Sequence, residues 1–270
     1  MHKVYYLMAG IVNKMCGGVR DQGAGTGGLE LFGRFEYILY YRGKPLKYLF
    51  LLLPLMLVVP ANAQEIITAE QYLKSVSERY GGIRDYEARI AIRSGGSEMQ
   101  GNVSYLSPSF LRIDFTRPAD QVIVFNGEQL TVYLPEYRAV LNQTITPSRR
   151  PSAGASLASA QGLSLLQRNY VASFVTGPNP VRLDDSSNEE VVKLRLARRS
   201  ISEGFREIIL SISPATKLIR RIEGLTIAGV NVRFDFTNIR TNVGIPELRF
   251  LYDSPASAYM YNNFLFRDTD

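Results

Sequence analysis

The chain has 270 residues, with 31 Lys/Arg against 25 Asp/Glu, a formal net charge of +6, one histidine, one cysteine and no tryptophan. That length suits one or two domains. The histidine is His2 and the cysteine is Cys16, so everything beyond them lacks imidazole and thiol. This excludes His or Cys zinc sites, a histidine base, a cysteine nucleophile and a disulfide there, and no cofactor or metal is expected.

Residues 1–43 include a Gly-rich stretch, GGVRDQGAGTGGLELFGRF, without helical or strand period. It reads as an over-long start or an extended leader. Lys44 and Lys47 then precede an apolar run, YLFLLLPLMLVV, from Tyr48 to Val59; Pro60 breaks it and Ala61-Asn62-Ala63 follows. A basic flank, a short apolar core and an A-x-A site define a secretory signal peptide over 44–63, with cleavage expected after Ala63. The run is short for a membrane span, and no cysteine stands at the junction to carry a lipid anchor. Residues 64–270 are expected to form one periplasmic domain. Removing residues 1–63 takes away seven Lys/Arg and three Asp/Glu, leaving a net charge of about +2 in place of +6. A nucleic-acid partner, which needs a basic stripe, is not supported.

Thr68-Ala69-Glu70-Gln71 has the form of a capping box. Tyr72, Leu73, Val76 and Tyr80 follow at helical spacing until Gly81-Gly82, so a helix is predicted over Ala69–Tyr80. The period then becomes two. Ala88, Ile90 and Ile92 form one strand; Val103 and Tyr105 a second; Leu111, Ile113 and Phe115 a third. Val122 to Phe125 is apolar on both faces, and Asn126-Gly127 predicts a type I′ hairpin into Leu130, Val132 and Leu134. A further strand runs over 138–143. Short turns make these neighbours antiparallel.

A small, polar connection, SRRPSAGASLASAQG, occupies Ser148 to Gly162, and a short helix is predicted near Leu163–Asn169. Strands resume with Val192, Leu194 and Leu196; Ile208, Leu210 and Ile212; Leu218, Arg220 and Ile222; Val230, Val232, Phe234 and Phe236; and a last one near Glu247–Leu251. The fold class is mainly β (α+β): about eleven antiparallel strands whose accumulated twist curls them into an incomplete barrel, with a helical lid.

These residues resemble the periplasmic outer-membrane lipoprotein carriers, the LolA family. The likeness is densest from Gly101 to Val140: Gly101 at a strand start, Pro108 in SPSFLRIDF, Pro118 before the apolar strand, the Asn126-Gly127 hairpin and LTVYLP from Leu130 to Pro135. It returns in NVGIPELRFLYDSP, from Asn242 to Pro255. The resemblance implies an open barrel that takes the acyl chains of lipoproteins from an inner-membrane ABC exporter and passes them to an outer-membrane receptor, as a monomer and without catalysis. It implies a cavity wall of Val103, Tyr105, Leu111, Ile113, Phe115, Val122, Val124, Leu130 and Val132. The lid would carry Leu163, Leu166 and Tyr170, with Leu73 and Val76 on the first helix. For each of these residues, filled core and open cavity wall are alternative readings. The family's lid-binding arginine before the aligned proline is Ser107 here, and a hydroxyl cannot supply a guanidinium's fork of donors.

Two other functions fit the same pattern less well. One is a lipid- or lipoprotein-sensing regulatory domain on the same fold. The other is an enzyme using Asp114 and Asp235, whose alternation with apolar neighbours places them on an outer face. The basic pairs Arg149-Arg150 and Arg198-Arg199 read as solvated surface or as docking sites for an acidic partner.

Overall fold

The computed structural model describes residues 67–145, 158–201 and 203–264. The extension over 1–43, the signal peptide and most of the polar connection lie outside the described residues.

The first helix, α1, spans Ala69–Gly81 and begins as its sequence demands. Thr68 Oγ1 accepts from the Gln71 backbone N–H at 3.1 Å, and Gln71 Oε1 accepts from the Thr68 N–H at 2.8 Å, so two otherwise orphaned donors are satisfied reciprocally. Tyr72, Leu73, Val76 and Tyr80 form its buried face. The second helix, α2, spans Ala160–Asn169; Ser159 caps it by accepting from the Gly162 N–H at 3.1 Å, and Leu163 and Leu166 are buried.

Among the described residues thirteen strands form one sheet, rather than the eleven expected. Six come first: β1 (Asp85–Ser94), β2 (Ser97–Leu106), β3 (Phe110–Arg117), β4 (Ala119–Phe125), β5 (Gln129–Leu134) and β6 (Ala139–Thr144). After α2 come β7 (Tyr170–Phe174), β8 (Val181–Arg182), β9 (Glu190–Arg198), β10 (Phe205–Ile212), β11 (Ile219–Thr226), β12 (Asn231–Thr241) and β13 (Tyr259–Asn262). The order is β13-β6-β5-β4-β3-β2-β1-β12-β11-β10-β9-β7, with β8 beside β7 on the edge of β9. Two antiparallel meanders thus meet at the β1–β12 pair, and among the described residues the curled sheet stays unclosed, with β13 at one end of the strand order and β7 at the other.

Three elements differ from the sequence expectation. Glu247–Phe250 is a 3-10 turn and not a strand; Pro246 precedes it, and single anchors such as Ile245 and Phe250 are buried there instead of an alternating face. The last strand is β13, parallel to β6. The Asn126-Gly127 hairpin forms, but only Gly127 has positive φ (92°). Asn126 Oδ1 instead accepts from the N–H groups of Glu128 and Gln129 at 3.1 and 2.8 Å, so the turn is organised by a side chain and is not type I′.

Because side chains alternate along a strand, the register assigns every residue to a face. One row crosses the first meander as Ala88, Val103, Ile113, Ile123, Val132 and Leu141. Another crosses the second as Ile92, Phe234, Ile222, Leu210, Leu194 and Phe174. Both rows are apolar throughout, and the same face also buries Gln143, opposite Leu130. Gly101 lets β2 and β3 approach closely at a register shift: a Cβ there would lie 2.5 Å from the Asp114 carbonyl oxygen.

Candidate functional site

The inner face and both helices share one apolar cluster. From the wall come Ile90, Ile92, Val103, Tyr105, Ile113 and Phe115, and from the helices come Leu73, Val76, Leu163 and Leu166; Tyr170, expected in the lid, is instead the first residue of β7, because the chain turns extended where α2 ends, and it joins the cluster from the sheet. The helices cover this face: a void at the C-terminal end of α1, lined by Tyr80, Tyr86, Leu218 and Phe236 among others, holds about 10 Å³. Leu130 and Val132 lie on the same inner face but in a second cluster, with Phe125, Leu141 and Ile145, and Leu111 touches both clusters.

Val122 and Val124 are not on this face. They pair with Asp114 and Arg112, opposite the Ile113–Ile123 row, and pack with Leu106, Ile245 and Phe250 beneath the C-terminal segment. The run Val122–Phe125 is apolar on both sides, so alternation alone does not name its inward face. The hairpin does: Phe125 pairs with Leu130, which puts Ile123 and Phe125 inside. The other wall residues missed in the sequence are those of β9 to β12, among them Leu194, Leu196, Ile208, Leu210 and Ile222. Their period-two pattern was visible, but no motif tied it to a site.

Among the described residues, the polar contacts between the helices and the sheet include two tyrosine hydroxyls and one cation. Tyr105 Oη lies 3.2 Å from Gln161 Oε1 on α2 and 3.0 Å from the Pro108 carbonyl oxygen. Burial raises the Tyr105 pKa, partly offset by the hydroxyls of Ser107 and Ser159, so the phenol stays a donor at neutral pH. Tyr105 thus reaches the lid from two residues before Ser107. On α1, Tyr80 Oη accepts from the Ile219 N–H at 3.1 Å, and burial pushes Tyr80 up to about 12. Lys217 Nζ sits 3.7 Å above the Tyr72 ring, and burial lowers its pKa.

Charge is kept on the opposite face. Asp114 accepts from Arg112 and Arg249, while Arg112 also donates to the carbonyls of Arg249 and Leu251 at 3.1 Å. This straps residues 249–251 across β3. Asp235 is engaged by Arg93, Arg221 and Arg233. The two carboxylates sit in separate arginine clusters, not as an acid–base pair. Among the described residues no cluster of His, Cys, Asp and Glu could hold a metal ion, and no helix is long and apolar enough to cross a membrane.

The architecture is a curled, unclosed sheet with two helices packed on its apolar face. Residues 93–253 match the family described as outer membrane lipoprotein carrier protein LolA, and the chain belongs to that family. It is similar to the outer-membrane lipoprotein carrier protein of Dechloromonas aromatica, 22% identical over 77% of this chain and 91% of that protein. A carrier of the same description from Bordetella avium is 23% identical over 58% of this chain and 68% of its own. Among solved structures, an uncharacterised conserved protein from Thermus thermophilus superposes with a TM-score of 0.47 at 16% identity, over 71% of this chain and 98% of that one.

Proposed function

We propose that this chain is a periplasmic carrier that binds the acyl chains of lipoproteins inside the sheet and shuttles them between the inner and outer membranes. The observation that carries the reading is the hollow filled by the chain's own lid. Tyr72, Leu73, Val76 and Tyr80 of α1 and Leu163 and Leu166 of α2 fill it. Buried side chains of this size contribute roughly 2 kcal/mol each, about 12 kcal/mol together. One ~16-carbon acyl chain at ~0.8 kcal/mol per methylene also comes to about 12 kcal/mol. Exchanging lid for acyl chain is then nearly neutral, which lets a carrier both load and unload. Tyr105 would serve as the latch, donating one uncharged hydrogen bond where the resemblance expects an arginine. On this reading the signal peptide is cleaved after Ala63, residues 64–270 work as a monomeric domain, an inner-membrane ABC exporter loads it, and an outer-membrane receptor takes the cargo. The curated relatives being named carriers favours this over sensing or catalysis.

The test is release of lipoproteins from spheroplasts. The processed protein should draw newly exported lipoproteins into the soluble fraction, and Ile113→Asp should not. Lipoproteins left on the spheroplasts by the unmodified protein would refute the reading.

A further inference from the structure

The end of the sheet where β9 turns into β10 carries a feature that the container does not use. Ile201 is 83% exposed, more than any other large apolar residue described. A single exposed aliphatic residue is ordinary, but this one has company. The β11–β12 turn lies at the same end of the sheet, since Phe205 at the start of β10 pairs with Thr226 and Arg206 donates to the Ile227 carbonyl at 2.6 Å. That turn exposes Val230 and half-exposes Ile227. Arg168, Arg199 and Arg206, on the elements that meet at this end, are exposed, and half-buried Arg198 donates to the Ile201 carbonyl at 3.5 Å. The one acid of the hairpin turn, Glu203, is half-buried, and burial raises its pKa. The turn is also fixed to the junction of α2 and β7: the Arg199 N–H donates to the Asn169 carbonyl at 2.9 Å and Arg199 Nε to the Tyr170 carbonyl at 3.1 Å.

We propose that the β9–β10 turn is a membrane-contacting tip, which seats Ile201 among the headgroups of an anionic phospholipid surface with Arg168, Arg198, Arg199 and Arg206 around it. An exposed aliphatic residue with four arginines on the neighbouring elements suits an interface that is apolar below and negatively charged above. A protein partner would need a matching concave acidic patch. The contact needs no cargo, so it stands whether or not the carrier reading does.

The chain's lack of tryptophan makes Ile201→Trp a unique probe. The processed, cargo-free protein would be mixed with phosphatidylcholine vesicles, with or without phosphatidylglycerol, some carrying brominated acyl chains. Emission of Ile201→Trp should shift to the blue and be quenched only with the anionic vesicles. Leu248→Trp, on the C-terminal strap and itself 73% exposed as leucine, should change in neither. Replacing Arg168 and Arg198 together with alanine should weaken vesicle binding about thirtyfold, at about fivefold per cation. Unchanged Ile201→Trp emission with anionic vesicles would overturn the proposal and turn attention to an acidic protein partner. Equal quenching at position 248 would overturn it as well.

Discussion

Tyr105→Phe removes one oxygen and leaves the apolar wall intact. The hydroxyl carries one proton and faces two acceptors, Gln161 Oε1 on the lid and the Pro108 carbonyl, so it donates to one at a time. Gln161 and Pro108 are both exposed, and their oxygens regain water when the hydroxyl is gone. The loss is therefore that of a net neutral hydrogen bond, about 1 kcal/mol, without the added cost of a buried orphan. If that energy resides in the closed lid, the open population rises about fivefold. Backbone hydrogen exchange over Leu163–Asn169 should accelerate by that factor while the β9–β12 core stays protected. An acyl probe should bind about fivefold more tightly, because lid and ligand compete for one space. The variant is thus expected to be less stable yet a better binder. Weaker acyl binding, or α2 exchange unchanged, would refute the latch.

The face assignment of β4 predicts a contrast between neighbours. Ile123→Ala and Val124→Ala should each destabilise by about 2 kcal/mol, read from denaturant midpoints, but only Ile123→Ala should lower acyl affinity, by about tenfold; equal losses would contradict the register. Asp184 supplies a pH test. Its carboxyl is drawn down to about 2, first by the Ser186 hydroxyl and then by Arg221. A depressed folded-state value means its stabilising contribution is complete above the unfolded value of about 4 and is lost as pH falls through about 2. The difference in Tm between the protein and Asp184→Asn should be constant above about pH 4 and vanish near pH 2; a difference independent of pH would contradict this.

Local rules carried the helices and most strands. Thr68 and Gln71 fixed the start of α1, and the alternation at Ala88, Ile90 and Ile92 fixed both strand and face. Where a run is apolar on both sides, as at Val122–Phe125, only pairing with Asp114 and Arg112 across the sheet decides which side is inside. The C-terminal strap was misread for a similar reason. Its Ile245 and Phe250 are buried by contacts with β2 to β4, residues more than a hundred positions away, and no local period announces that. Tyr105 was legible as a wall residue but not as a latch, because its partner Gln161 is 56 residues on, in a segment whose composition reads as loop. The Arg198-Arg199 pair stood out in the sequence; its neighbours Arg168 and Arg206 and the exposure of Ile201 did not.

The central claim is that the lidded interior holds acyl chains. The most direct measurement is native mass spectrometry of the processed protein, recovered from the periplasm of a lipoprotein-exporting host without detergent. The account predicts added mass matching an acylated lipoprotein or lipid, lost in Val132→Asp while that variant still shows a cooperative thermal transition. A folded protein that remains at its bare mass after incubation with lipoprotein-exporting spheroplasts would contradict it.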